Sequence, residues 1–235
     1  MLSEPLLKLD GVVKRFGGLV ALDGVSFSVA PSEIVGLVGP NGSGKTTAIN
    51  IISGTYHADA GSVLFEGARI DRVPAFRRVP LGINRTFQVP KPFAAMTVRE
   101  NIAVAAYFGA RVPVEIDAVL AEIDLAGHAD VLASQLTVNQ QKRLDLGRAL
   151  ATQPKLLLID EIGAGLNPSE LNTIADLLLR LAARGIALIV VEHVLDFLNR
   201  IANRVIVLSA GRMLFEGRLE DASRNADVVA AFIGG

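Results

Sequence analysis

The sequence predicts an α/β fold: a mostly parallel sheet, an N-terminal antiparallel β layer and an inserted helical subdomain. Three observations predict it. A glycine-rich loop, Gly39-Pro40-Asn41-Gly42-Ser43-Gly44-Lys45-Thr46, separates an apolar strand-length run from a helical one. After Pro154, short apolar runs alternate with helix-patterned segments. From Gln88 to about Leu150 strand signals vanish. A single domain, residues 1–235, accommodates all three, with 1–87 and 151–235 as the core and 88–150 as the helical subdomain.

The elements follow in order. Leu6 to Phe16 and Val25 to Val29 read as strands, with Gly17-Gly18 turning between them. Glu33 to Val38 is a buried strand leading into the glycine-rich loop, and Thr47 to Ile52 opens the helix behind it. Ser62 to Phe65 adds a short strand to the N-terminal layer. Helices are expected over Thr97 to Phe108, Val114 to Ile123 and Gln140 to Leu150, punctuated by Pro90, Pro92, Pro113 and Gly127. Leu156 to Ile159 is a strand. Pro168 to Arg184 is a helix with Asn167 as its cap, Pro168 in its first turn and Gly185 at its stop. Its Leu171, Ile174, Ala175, Leu178 and Leu181 share one face. Ile186 to Val191 and Val205 to Leu208 are strands flanking a helix at Val194 to Ala202. Such alternation implies right-handed crossovers.

Composition narrows the function. The net charge is −1, which argues against a nucleic-acid partner, since that needs a basic face. Apolar residues make up 51%, as expected for strands buried on both faces. No run reaches the ~18 apolar residues of a membrane span. The start, Met1-Leu2-Ser3-Glu4-Pro5, lacks the basic and apolar regions of a signal peptide. With no cysteine, disulfides and thiolate metal sites are excluded.

The glycine-rich loop fits G-x-x-x-x-G-K-[ST] in the strand–loop–helix setting that this motif requires. Its glycines let the backbone, including that of Asn41, Gly42, Ser43 and Gly44, wrap a phosphate, and the helix start at Thr46 and Thr47 adds partial positive charge. Lys45 then reaches the β- and γ-phosphates and the Thr46 hydroxyl ligates Mg²⁺, so ATP with Mg²⁺ is the expected ligand. The strand Leu156 to Ile159 runs into Asp160 and Glu161, at the carboxyl end where ligands bind in parallel sheets. Asp160 is the candidate for the Mg²⁺ shell, and Glu161 the candidate to polarise the attacking water. His193 ends a second apolar strand after Glu192, and is expected to hydrogen-bond the γ-phosphate. The three histidines lack metal-ligand spacing. Taken alone, Gln88 reads as an ordinary loop amide.

Together these residues resemble the ATP-binding-cassette ATPase family over nearly the whole chain. The resemblance implies a P-loop NTPase (RecA-like) core. Gly39 to Thr46 matches its Walker A motif and Leu156 to Glu161 its Walker B motif. Gln88 matches the glutamine that senses Mg²⁺ and the membrane partner, and His193 the switch histidine. Phe16 lies where the family stacks an aromatic on adenine; the other reading of Phe16 is a core phenylalanine. A narrower likeness is to the ATPase subunits of branched-chain amino acid importers. It is carried by Asn84-Arg85-Thr86-Phe87-Gln88, Met96-Thr97-Val98-Arg99-Glu100-Asn101, Ala164-Gly165-Leu166-Asn167-Pro168 and the tail Asp227 to Gly234.

The resemblance implies an ATPase that powers uptake of branched-chain amino acids or related small polar solutes. It would sit peripherally on the cytoplasmic face of the membrane. Its partners would be integral-membrane permease subunits, a second ATPase subunit (the same or another chain) and, indirectly, a solute-binding protein. The permease would pull through a groove near Gln88, Pro90, Pro92 and Phe93. The family's Leu-Ser-Gly-Gly-Gln signature appears as Leu136-Thr137-Val138-Asn139-Gln140, where Thr137 keeps a hydroxyl and both glycines are replaced. In the family this segment serves the γ-phosphate held by the other subunit, with Thr137 and Gln140 as the matching positions here. Loss of one such donor costs about 3 kcal/mol. Ile162 replaces the proline usual after the Walker B glutamate. Two other readings stay open: a catalytically weak regulatory subunit of a heterodimer, and a non-transport cassette ATPase.

Overall fold

The computed structural model describes residues 4–233; Met1 to Ser3 of the N-terminal reading and Gly234 of the tail lie outside the described residues. Strands β1 (Leu7–Phe16) and β2 (Leu19–Val29) form an antiparallel hairpin across Gly17-Gly18, with Phe16 opposite Leu19. Sequence patterning expects β2 only from Val25. Its first half was hidden because Leu19 and Val20 are exposed and Gly24, at φ 74°, interrupts the alternation. Strand β3 (Ile34–Val38) is buried throughout and delivers the glycine-rich loop to helix α1 (Lys45–Ser53). Strands β4 (Ala60–Phe65) and β5 (Ala68–Arg69) complete a four-stranded sheet of order β2-β1-β4-β5.

Helix α2 (Ala75–Leu81) and strand β6 (Ile83–Arg85) follow; neither was expected. Helix α2 is short, basic and contains Pro80, so it carries no helical signature. Its Arg78 is nonetheless almost wholly buried. Its guanidinium donates to the carbonyls of Ile51, Ile52, Ile70 and Val73, closing the C-terminal end of α1. Burial lowers this guanidinium to about 10, against the opposing charge of Asp71.

Between β6 and β7 the described chain is helical: α3 (Val98–Gly109), α4 (Ile116–Glu122), two 3₁₀ turns and α5 (Val138–Leu150). The rest alternates: β7 (Leu156–Asp160), α6 (Pro168–Ala183), β8 (Ala187–Val191), α7 (Leu195–Ile201), β9 (Arg204–Ser209), β10 (Arg212–Gly217), α8 (Leu219–Ala222) and α9 (Ala226–Ile233). Strand β10 was missed because it is largely exposed and lacks a core-facing stripe.

The second sheet has the order β10-β9-β3-β8-β7-β6, parallel except at β10. Its continuous apolar runs are explained by two cores. Val35, Leu37, Leu156, Leu158 and Ile189 face the antiparallel layer and α1. Ile34, Leu157, Ile159, Leu188 and Val190 face α6, α7 and the helical segment. The expected α/β class, with a mostly parallel sheet and an antiparallel layer, is the observed one. It brings the loops after β3, β7 and β8 to one edge.

Candidate functional site

The glycine-rich loop is shaped by its glycines. A Cβ on Gly39, at φ 149°, would come within 2.1 Å of the Leu208 carbonyl. One on Gly44, at φ 106°, would come within 2.6 Å of the Ala21 carbonyl. The loop therefore packs directly against β2 and β9. Gly44 caps α1 without a side-chain hydrogen bond, and the first turn of α1 has no acidic residue. The N–H groups there are left for a ligand, with nothing cancelling the helix dipole.

Lys45 is buried, and its Nζ donates to the carbonyls of Gly39 at 2.7 Å and Pro40 at 2.9 Å. Burial pulls its ammonium below the usual lysine range, against the charges of Glu161 and Asp160. Ser43 Oγ is buried without a partner. Asn41, Gly42 and Thr46 are exposed, and Thr47 is half-buried. A cradle of backbone donors, a buried cation and an unused hydroxyl fits a polyphosphate.

Asp160 ends β7, buried, with Oδ2 at 3.5 Å from the Arg85 guanidinium. Burial pushes its carboxyl up; Arg85 opposes this, Glu161 adds to it, and Lys45 and His193 oppose it. Arg85 is anchored in turn on Asn50 of α1. At Glu161 the chain leaves the strand in a left-handed conformation, φ 50°. Glu161 Oε2 accepts from Gln88 Nε2 at 2.5 Å, and Oε1 lies 2.9 Å from His193 Nε2. Asp160 and Glu161, adjacent in sequence, thus sit in different surroundings. One carboxylate is buried beside an arginine; the other is held by two side chains from different loops.

No described cluster of three or more His, Cys, Asp or Glu side chains makes a metal cage. Mg²⁺ is commonly held by one or two carboxylates together with substrate phosphates, and that is the donor set Asp160 and Thr46 offer.

Phe16 is 41% exposed, which corrects the core-phenylalanine alternative. Its ring meets Tyr56 edge-on at 5.2 Å, with Lys14 Nζ 5.3 Å from its centre. An exposed aromatic ring of this kind can stack on a planar ligand.

Thr137 and Gln140 are not brought to the glycine-rich loop. Thr137 Oγ1 accepts from Gln140 N–H and Gln140 Oε1 from Thr137 N–H, a reciprocal cap on α5. Gln140 Nε2 also lies 2.9 Å from His128 Nε2. Asn139 Nδ2 donates to Glu170 of α6 at 2.5 Å, while the Val138 side chain is exposed.

Sequence reasoning missed Lys142 as a site residue. Its Nζ donates to the carbonyls of Glu161, Ile162 and Ala164 behind the Glu161 side chain. A lysine one helical turn into α5 gives no sign in sequence of what it meets. Glu192, noticed only as the neighbour of His193, is buried and accepts from Gly163 N–H at 2.6 Å. Burial lowers the Lys142 ammonium and raises the Glu192 carboxyl, each offset in part by the other's charge. A cavity of about 820 Å³ lies elsewhere, between α4 and the C-terminal ends of α5 and α6.

The ABC transporter family model matches residues 22–164, from β2 through the loop after Glu161. The chain is 34% identical to the high-affinity branched-chain amino acid transport ATP-binding protein LivG of Escherichia coli (strain K12), with 99% of each chain covered. Its structure superposes on the ADP conformation of an ATP-binding cassette of an ABC transporter. The TM-score is 0.89 at 33% identity, covering 99% of this chain and 100% of the other. It also superposes on a dimeric ATP-binding cassette in a post-hydrolysis state bound to ADP and Pi. Here the TM-score is 0.82 at 26% identity, covering 91% and 98%. With the phosphate cradle and the β7 carboxylates in place, the full-length likeness settles the family: this chain belongs to the ABC transporter family, as an ATP-binding cassette ATPase.

Proposed function

We propose that the chain hydrolyses Mg-ATP to drive an importer of branched-chain amino acids or related small polar solutes, bound peripherally at the cytoplasmic face of its permease. The observation that carries the ATPase reading is the Glu161 carboxylate, gripped by Gln88 and His193 at the edge where the phosphate loop opens. In this reading Lys45 and the N–H groups of residues 41–47 bind the phosphates, and Phe16 stacks on the base. Thr46, Asp160 and Gln88 hold Mg²⁺, which when bound neutralises phosphate charge. Glu161 orients the attacking water, and its hydrogen bonds to Gln88 and His193 make that aim sensitive to both loops. The solute class is supported by the full-length likeness to LivG.

Residues 88–150 act as a helical subdomain in this reading, and the permease docks beside Gln88. A cavity of about 440 Å³ lies there, lined by Phe76, Arg85, Phe87, Phe108, Asp145 and Arg148. Phe108 is 77% exposed, Phe76 and Tyr107 are similarly bare, and Phe93 stacks on Arg148 nearby. Such a rim of bare aromatics suits an apolar segment of a membrane partner. A second cassette ATPase closes on the first, as the dimeric neighbour suggests. Thr137 and Gln140 then serve the partner's nucleotide.

Membranes from cells expressing the chain with its permease give the test. Glu161→Gln should retain Mg-ATP binding while abolishing both hydrolysis and ATP-dependent uptake of labelled leucine, isoleucine or valine. Uptake that survives in Glu161→Gln membranes would remove the transport reading.

A further inference from the structure

The loop after Glu161 presents an electrostatic problem. The carbonyls of Glu161, Ile162 and Ala164 converge on one point, and aligned carbonyls repel unless a cation sits among them. Lys142 Nζ occupies that point, 3.5 Å, 3.0 Å and 2.5 Å from the three oxygens, and the residue is only 6% exposed. An ammonium has three donors, and here all three have carbonyl partners.

The opposite side of the loop is held as tightly. Gly163 N–H donates to Glu192 Oε1 at 2.6 Å. A Cβ at Gly163 would come within 2.9 Å of Leu171 and 3.1 Å of that same carboxylate oxygen, so the loop has no slack. Lys142 belongs to α5, which packs on α3 and α4. Glu192 directly precedes His193, whose ring touches the Glu161 carboxylate.

We propose that Lys142 and Glu192 are positioning residues that clamp the loop 161–164 from opposite sides, tying the aim of the Glu161 carboxylate to the position of helix α5. The proposal rests on the reading of Glu161 as the group that orients water. Its content is a second route from the helical segment to the reaction. Gln88 reaches the Glu161 side chain, while Lys142 reaches the backbone that carries it. A displacement of α5 relative to the sheet then re-aims Glu161 even when Gln88 stays in place.

The test uses the full-length chain for binding and hydrogen exchange, and its transport complex for turnover. Lys142→Met is expected to bind Mg-ATP within about twofold of wild type, while turnover falls about 10- to 100-fold at little-changed KM. Lys142→Arg keeps the charge and the donors and restores most of that turnover. Amide exchange rises at residues 162–164 and stays unchanged along α1. Should Lys142→Met not fold, Glu192→Gln carries the test, being of equal size and keeping an acceptor for Gly163. It is expected to lower turnover about threefold to tenfold and to raise exchange at Gly163.

Wild-type turnover and exchange in both variants, with Glu161→Gln inert, would overturn the clamp and leave the reading of Glu161 standing. A general rise in exchange with a parallel loss of Mg-ATP affinity would overturn it too, since the residues would then serve stability alone. Persistent turnover in Glu161→Gln would instead remove the reading of Glu161 itself.

Discussion

Helices α1 and α5 both begin with a motif that the sequence ties to nucleotide, yet their N-termini are built in opposite ways. Helix α1 starts at Gly44 with no side-chain cap and no acid in its first turn. Helix α5 starts at Thr137 with a complete reciprocal cap from Gln140. Its following polar residues are also engaged: Asn139 with Glu170, Lys142 with the 161–164 carbonyls, Arg143 with Asp124, and Asp145 with Phe87 N–H. One helix begins uncapped, and the other closes its first turn with its own side chains. A motif letter therefore says which residue is present, while the local hydrogen-bond ledger says whether that residue is free to act.

The largest effect that can break this contrast is at α1. Lys45→Ala removes the buried cation whose present partners are only loop carbonyls. Turnover of Mg-ATP should fall about 10³-fold or more, with nucleotide affinity reduced, because phosphoryl transfer depends almost wholly on positioning and charge. The thermal midpoint should hold or rise, since the variant relieves a desolvated ammonium. A variant that loses stability while keeping turnover would make α1 the structural helix of the two.

At α5 the expected signs reverse. Asn139→Gly breaks the bond to Glu170 and puts glycine into a first helical turn, so stability should fall by about 1–2 kcal/mol. The same change clears the approach to a partner's nucleotide, and turnover of the dimer should rise about tenfold. Melting and steady-state hydrolysis on the same sample read both. Unchanged hydrolysis, both for the chain alone and beside a second ATPase, would mean that this side chain does not hinder the site. Thr137→Ala, which removes the cap as well as the hydroxyl offered to a partner's nucleotide, should lower stability by about 1 kcal/mol and leave Mg-ATP affinity at Lys45 of the isolated chain untouched. A shift in that affinity would show that α5 speaks to its own nucleotide site.

The contrast also marks what the sequence discloses. The loop at Gly39 to Thr46 and the strand ending in Asp160-Glu161 were legible because both follow uninterrupted apolar runs, whose burial on two faces leaves one reading. The Asn167 cap was legible for a similar reason, since capping uses residues three apart. Helix α2 and strand β10 were not, because the first is held by the carbonyls around Arg78 and the second has no buried stripe. The grip of Gln88 and His193 on Glu161 joins residues from three separate elements, and the Lys142 cage joins α5 to a loop 19 to 22 positions away. Contacts of that span are set by how the sheet and helices pack, which no local pattern encodes.

The smallest expected effect concerns Asp145, in the middle of α5. Burial pushes its carboxyl above the ordinary aspartate range, against Phe87 N–H and the charges of Arg148 and Arg85. An acid whose folded value is raised binds more protons in the folded state, so stability falls as pH rises through the interval between the unfolded and folded values. Above that interval the whole penalty for the buried charge stands; below the unfolded value, near 4, both states are protonated and it vanishes. Asp145→Asn keeps an acceptor for Phe87 N–H and removes the charge. It should stabilise the chain by about 0.5–1 kcal/mol at pH 7 and by nothing below pH 4 or so. Urea midpoints of the two proteins measured across that range decide it. A gain that persists undiminished in acid would assign the effect to packing, and a loss at pH 7 would mean that Arg85 and Arg148 hold Asp145 as a net stabilising ion cluster.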